Sequence, residues 1–170
     1  MFVRSAKTKN KTILVTSSVS GEGKTFVSIN MATVFALSGK KTILVGFDLR
    51  KPKIFQDFGL NNDVGVVNYL ISEETESTVI QKTTIENLDL ITSGPIPPNP
   101  SELILSSATD ELITSLKEQY EYIIIDTPPI GLVSDSIELL KFVDATIYVV
   151  RQNYSQKGML KLINEKYEKK

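Results

Sequence analysis

The sequence predicts an α/β fold, a three-layer sandwich in which a mostly parallel central sheet is covered by helices on both faces. Three observations lead there. Runs that are apolar at every residue, such as residues 43–45 and 123–125, alternate with segments whose apolar residues recur at helical spacing. A strand without a polar face must be covered on both sides, as parallel strands between helices are. The first apolar run also passes through a small-residue loop directly into a helix. A chain of 170 residues, 41% of them hydrophobic, suffices for one compact domain over 1–170 and is too short for two well-buried ones.

Residues 12–16 are a short β-branched run and give the first strand. In the helix after the loop Val27, Met31, Val34 and Phe35 recur at helical spacing, and Ser38-Gly39 supplies its stop. Residues 42–47 are the next buried strand. Pro52 opens a short helix closed by Gly59, and residues 66–71 form a further helical turn. The acidic stretch 72–77 reads as a solvated loop, followed by weak strand signals at 79–80 and 88–91.

Residues 93–100, Ser-Gly-Pro-Ile-Pro-Pro-Asn-Pro, hold too many prolines for regular structure and predict an ordered surface loop. It leads into a helix near 101–105, and a second helix covers 109–120. Residues 122–126 form a strand apolar on both faces that ends on a carboxylate. Residues 145–150 repeat the pattern and place Tyr148 in a buried strand, while Tyr120 and Tyr122 flank the preceding one as packing residues. An amphipathic helix over 156–170 closes the chain, with Met159, Leu162 and Ile163 inward.

The stretch Leu14-Val15-Thr16-Ser17-Ser18-Val19-Ser20-Gly21-Glu22-Gly23-Lys24-Thr25 carries the chemistry. Its spacing is that of a phosphate-binding loop, with Ser18 where the first glycine usually stands and Gly23, Lys24 and Thr25 in place. Small side chains let backbone N–H groups close on phosphate oxygens, and the helix N-terminus adds a positive dipole end. Ser20, Gly21, Glu22, Gly23, Lys24, Thr25 and Phe26 are therefore the candidate positions for ATP or ADP. Lys24 can reach the β- and γ-phosphates, and Thr25 can offer its hydroxyl to Mg²⁺. A Gly/Ser turn joining strand to helix is the plainer alternative.

Ligands of such sheets sit at the carboxyl ends of the strands, where Asp48 and Asp126 also fall. Asp126 ends a hydrophobic strand in the manner of the carboxylate that supports Mg²⁺ in nucleotide hydrolases. Thr25, Asp48 and Asp126 are thus the candidate metal ligands, a helix cap or loop hydrogen bond being the alternative for Asp126 and a polar turn for Asp48. Lys24, Asp48 and Asp126 are the candidate catalytic residues. Arg151 and Asn153 follow the last strand at the edge of this site and are candidates for contact with the base, a solvated turn being the alternative. Tyr154 and Tyr167 are better placed for modification than the other tyrosines, although aromatic packing at a helix surface is the plainer reading of each.

Composition removes other chemistries. There are no His and no Cys, so imidazole bases, Ser-His-Asp triads, thiol nucleophiles and ordinary zinc sites are excluded. A net charge of -1 gives no electrostatic footprint for nucleic acid. No apolar run reaches the length of a membrane span.

Over nearly its whole length the chain resembles the bacterial tyrosine kinases that control capsule and exopolysaccharide export. The likeness rests on the phosphate loop, on Phe47-Asp48-Leu49-Arg50-Lys51-Pro52, on the proline loop running into Ser101-Glu102-Leu103, and on Ile125-Asp126-Thr127-Pro128-Pro129. The resemblance implies Mg-ATP as cofactor, a tyrosine hydroxyl as acceptor, Lys24 on the transferring phosphoryl, and Asp48 completing an acidic cluster with Asp126. It further implies autophosphorylation in trans on a Tyr-rich tail and homo-oligomerisation of the full-length protein. The expected partner is a transmembrane activator or a fused membrane segment, with the domain cytoplasmic at the inner face of the cell membrane.

Partitioning and cell-division-site ATPases carry a second Lys where Val19 stands, so a partner-binding ATPase switch is the alternative that loses its characteristic residue. Many relatives have an Asp where this chain has Gly46, which points to a weakened nucleotide-binding module as another alternative. The Arg-bearing helix before the first strand and the strand plus Tyr-rich tail after the last helix are not found, so the expectation is a domain truncated at both ends.

Overall fold

The computed structural model describes residues 11–131, 135–155 and 158–159. Six strands form one sheet: β1 (Lys11–Ser17), β2 (Thr42–Gly46), β3 (Gln81–Lys82), β4 (Leu88–Ile91), β5 (Tyr122–Asp126) and β6 (Ala145–Val149). Their order is β3-β4-β2-β5-β1-β6, parallel throughout except for the short antiparallel β3–β4 pair. β5 lies between β1 and β2, with Asp126 in register with both Val15 and Gly46. The ends of these three strands are thereby brought together on one edge of the fold.

Successive residues of a strand point to opposite faces, and the core divides accordingly. Ile43, Val45, Ile123 and Ile125 face one cluster, which takes in α3 (Val66–Leu70), α5 (Pro100–Ile104) and α6 (Ser107–Gln119) through Val66, Ile104, Leu112, Ile113 and Leu116. Val15, Leu44, Leu90 and Ile124 face the other, beneath α1 (Lys24–Leu37). This is the expected three-layer arrangement. Truncating the wholly buried Ile124 to Ala would cost about 2–5 kcal/mol, in lost transfer energy and an unfilled cavity.

Some expectations need correction. The buried stripe of α1 is Lys24, Ser28, Ala32 and Ala36, at spacing i, i+4, and Val34 is 64% exposed. Small side chains let the helix lie close on the sheet, which matters more here than apolar bulk. Val27, Met31 and Phe35 are half-buried at the margin, with Phe35 stacked on Tyr122 at 4.0 Å between centroids. The segment around 76–80, expected as loop then strand, is a helical turn α4 (Glu76–Val79) before β3, and its Val79 caps the core.

β6 is an edge strand among the described residues, so its side chains are half-buried or, at Thr146, exposed, and Tyr148 is not enclosed on both sides. Between β5 and β6 the chain forms α7 (Asp135–Glu138) and a 3-10 turn (Leu139–Phe142), in a segment without a periodic apolar pattern. The short helix α2 (Ile54–Asp57) and α5 fall where expected, as does Gly59, whose φ of 63° ends the α2 turn. Most of the expected terminal helix, including Leu162, Ile163 and Tyr167, lies outside the described residues.

Candidate active site

β1 delivers the chain into residues 18–23, and α1 begins at Lys24. Gly21 and Gly23 have φ of 89° and 96°, a left-handed backbone that costs a residue with a side chain about 1–2 kcal/mol. Gly23 occupies the position before α1 and accepts the Val27 N–H through its carbonyl, so the first amides of the helix open toward the loop. Lys24 is buried at 7% exposure.

The loop is tied to the strand end that carries Asp126. Thr25 Oγ1 donates to Asp126 Oδ2 at 3.0 Å, and Ser28 Oγ donates to Oδ1 at 2.8 Å. Asp126 is 3% exposed, and burial pushes its carboxyl up to about 6; the nearby charge of Asp48 acts in the same direction, against Ser28, Lys24 and Thr25. Asp48 is thus close enough to be felt by Asp126. The β2 exit is also stitched to β5 by the Phe47 N–H, which donates to the Asp126 carbonyl at 2.8 Å. Asp48 Oδ1 accepts the Lys51 N–H at 3.0 Å, and the residue remains half-exposed.

This donor set fits a magnesium ion. A hydroxyl and two carboxylates beside a phosphate loop are what Mg²⁺ takes when substrate phosphates and water complete its shell. Asp126 accepts hydrogen bonds from neutral hydroxyls, which leaves its negative charge to a cation.

The remaining candidates are placed less directly. Glu22 is buried, with Oε2 accepting the Val19 N–H at 2.8 Å and Oε1 bonded to Ser155 Oγ, so its carboxylate braces the loop from within. Burial works to raise this carboxyl, but the bonds from Ser155 and Val19 prevail and hold it below the ordinary value. Phe26 is 72% exposed, and only its backbone can serve the loop. Arg151 Nη1 donates to the Gly21 carbonyl at 3.0 Å, which makes it a brace of the loop in this structure. Asn153 is exposed, with φ of 59°. Ser20 is exposed and accepts, through its carbonyl, the Tyr154 hydroxyl at 3.0 Å.

Three residues missed by sequence reasoning form a second polar centre. Arg50 Nε and Nη2 donate to the two oxygens of Asp135 at 2.9 and 3.3 Å, and Ser101 Oγ donates to Asp135 Oδ1 at 2.8 Å. Asp135 is 2% exposed. The pair joins the β2 exit beside Asp48 to α5 and to the segment after β5. Arg50 and Ser101 stand in the motif-bearing segments, which was the available signal; nothing local marks Asp135. Ser18, the residue in place of the first loop glycine, uses its hydroxyl to bond Tyr148 on β6.

A family model described as an AAA domain matches residues 10–169. The tyrosine-protein kinase YwqD of Bacillus subtilis is 39% identical over 147 residues, which is 86% of this chain and 62% of YwqD. Other relatives are longer, and the chain spans 20% of some of them. The crystal structure of the chimerical protein CapA2B2 superposes with a TM-score of 0.91 at 40% identity, covering 97% of this chain and 72% of that one. The kinase domain of the Escherichia coli tyrosine kinase ETK does so with 0.91 at 31% identity, covering 96% and 64%. With a nucleotide loop, a buried carboxylate behind it and these likenesses over nearly the whole sequence, the chain belongs to the bacterial tyrosine-protein kinases.

Proposed function

We propose that this domain is an ATP-dependent protein-tyrosine kinase that moves the γ-phosphate of ATP to tyrosine, in the control of capsule or exopolysaccharide synthesis and export. The observation that carries the reading is the convergence of Lys24, Thr25, Asp48 and Asp126 at the ends of β1, β2 and β5. Phosphoryl transfer depends on positioning and charge stabilisation more than on covalent chemistry by the protein, so this set suffices without histidine.

Lys24 directs its ammonium at the phosphoryl oxygens from a buried position, where screening by water is weak. The amides from Gly21 to Phe26 hold the phosphates. Thr25, Asp126 and Asp48 would hold magnesium, which would supply positive charge to neutralise the phosphates. Asp48, half-exposed at the mouth, accepts the proton of the incoming tyrosine hydroxyl. That role falls to Asp48 because Gly46 offers no carboxylate: a Cβ there would lie 3.0 Å from Ser93 Oγ, which donates to the Gly46 carbonyl at 2.8 Å.

For a full-length kinase of this family, the reading includes homo-oligomerisation, autophosphorylation in trans on a Tyr-rich tail, and a transmembrane activator or fused membrane segment that holds the domain at the inner face of the membrane. The greater length of some relatives supports the fused segment alone. No described helix is long and apolar enough to cross a membrane. The test is incubation with labelled Mg-ATP and a Tyr-rich peptide, wild type against Lys24→Met. Label on tyrosine that disappears with the substitution is the expected result; no label from the wild type would overturn the reading.

A further inference from the structure

The turn after β6 grips the phosphate loop at three points. Arg151 Nη1 donates to the Gly21 carbonyl at 3.0 Å, Tyr154 Oη donates to the Ser20 carbonyl at 3.0 Å, and Ser155 Oγ bonds the Glu22 carboxylate. The turn is itself braced, since the Arg151 N–H donates to Ser155 Oγ at 2.8 Å. The Arg151 guanidinium also stands over the Tyr154 ring, 5.2 Å from its centroid. Gly21 makes room for this grip: a Cβ at that position would come within 2.8 Å of Tyr154 Oη.

Tyr154 differs from the other described tyrosines. It is 49% exposed, whereas Tyr120 is buried with its hydroxyl on Asp89, Tyr122 is stacked on Phe35, and Tyr148 is bonded to Ser18. Burial pushes the hydroxyls of Tyr120, Tyr69 and Tyr148 above their ordinary value, which makes them poorer nucleophiles. Tyr154 alone among these combines access with a direct bond to the nucleotide loop.

We propose that Tyr154 is a phosphorylation site, and that a phosphate there releases the turn from the loop and weakens nucleotide binding. The inference rests on the kinase reading for the source of the phosphate, which is ATP held by a second copy of the chain. Tyr154 Oη attacks the γ-phosphorus, the new O–P bond forms as the bond to the β–γ bridging oxygen breaks, the electron pair leaves with ADP, and the phenolic proton passes to Asp48 of the copy that holds the ATP.

The modified side chain has no hydroxyl proton to give the Ser20 carbonyl. It also carries about two negative charges at neutral pH, next to a carbonyl oxygen and near the Glu22 carboxylate. Arg151, already over the ring, pairs with the phosphate and lets go of Gly21. One modification therefore breaks two of the three attachments, and the loop that must close on the phosphates of ATP loses most of its brace.

The experiment has two arms. In the first, the chain is incubated with Mg-ATP and a Tyr-rich peptide and its phosphosites are mapped by mass spectrometry; phosphate on Tyr154 is expected. A labelled peptide with Tyr154 unmodified overturns this inference and leaves the kinase reading standing, whereas label on neither overturns both. In the second, phosphotyrosine is installed at position 154 and the affinity for a fluorescent ADP analogue is compared with the unmodified chain and with Tyr154→Phe. The phosphate is expected to weaken binding about tenfold or more. The Phe variant, which loses a single neutral hydrogen bond, is expected to weaken it by about threefold or less. Affinity within about twofold of the unmodified chain, in protein whose circular dichroism shows it folded, overturns the inference.

Discussion

Thr25 and Asp126, 101 positions apart in the chain, meet through a 3.0 Å hydrogen bond that fastens the start of α1 to the end of the central strand. The loop's cation and the buried carboxylate are consequently held in one rigid frame, and the consequences of disturbing it can be stated.

Replacing Lys24 by Met removes the ammonium while keeping most of the buried stem. Phosphotransfer to a tyrosine peptide should fall by about a hundredfold or more, the usual loss when one preorganised charge is withdrawn from a developing anion. Circular dichroism should be unchanged, because the side chain is at the lip of the core.

Asp126 makes stability depend on pH in an unusual direction. Its carboxyl stands at about 6 in the fold against 3.8 as a free side chain, with burial the chief cause. The folded state binds this proton more tightly than the unfolded one, so its contribution is fully present below about pH 4 and is lost as pH rises through about 6. The loss is bounded at about 3 kcal/mol, two units at about 1.4 kcal/mol each. Without nucleotide, Asp126→Asn should therefore melt higher than wild type at pH 7.5 and close to it near pH 4, as scanning calorimetry can establish. The same variant should lose the magnesium dependence of ADP binding.

Arg50→Ala leaves the Asp135 carboxylate buried without its cationic partner. A cost of about 3 kcal/mol is expected, and thermal melting should fall by about 6–12 °C in a chain of this size. Arg50→Lys keeps the charge without the two-pronged geometry and should fall between. A melting temperature within about 1 °C of wild type for the Ala variant would show that Asp135 is adequately served by Ser101 alone.

A Cβ at Gly131 would lie 2.4 Å from the Ser18 carbonyl oxygen. Gly131→Ala should thus push on the loop from behind, raising the KM for ATP several-fold, with a smaller effect on melting than Arg50→Ala. Steady-state kinetics alongside melting curves distinguish a displaced loop from a damaged core.

The parts legible in the sequence are those fixed by local rules. β1, β2 and β5 are apolar on both faces, and the Gly-Lys-Thr spacing marks the loop, so Lys24, Thr25, Asp48 and Asp126 could be named before any coordinates. The apolar periodicity of α1 does not mark its buried face, because close approach to the sheet selects Ser28, Ala32 and Ala36. The apolar run around Tyr148 predicts a buried strand, yet β6 lies at the sheet edge, a fact of strand order and not of composition. Asp135 was invisible for a further reason: its partner Arg50 is 85 residues away, and no local pattern announces that meeting.

The small side chains beneath α1 leave that helix no room to rock or to peel away on its own. Its amides should therefore exchange with deuterium only through opening of the entire molecule, and the capacity to hold a nucleotide should vanish in the same cooperative transition as the fold.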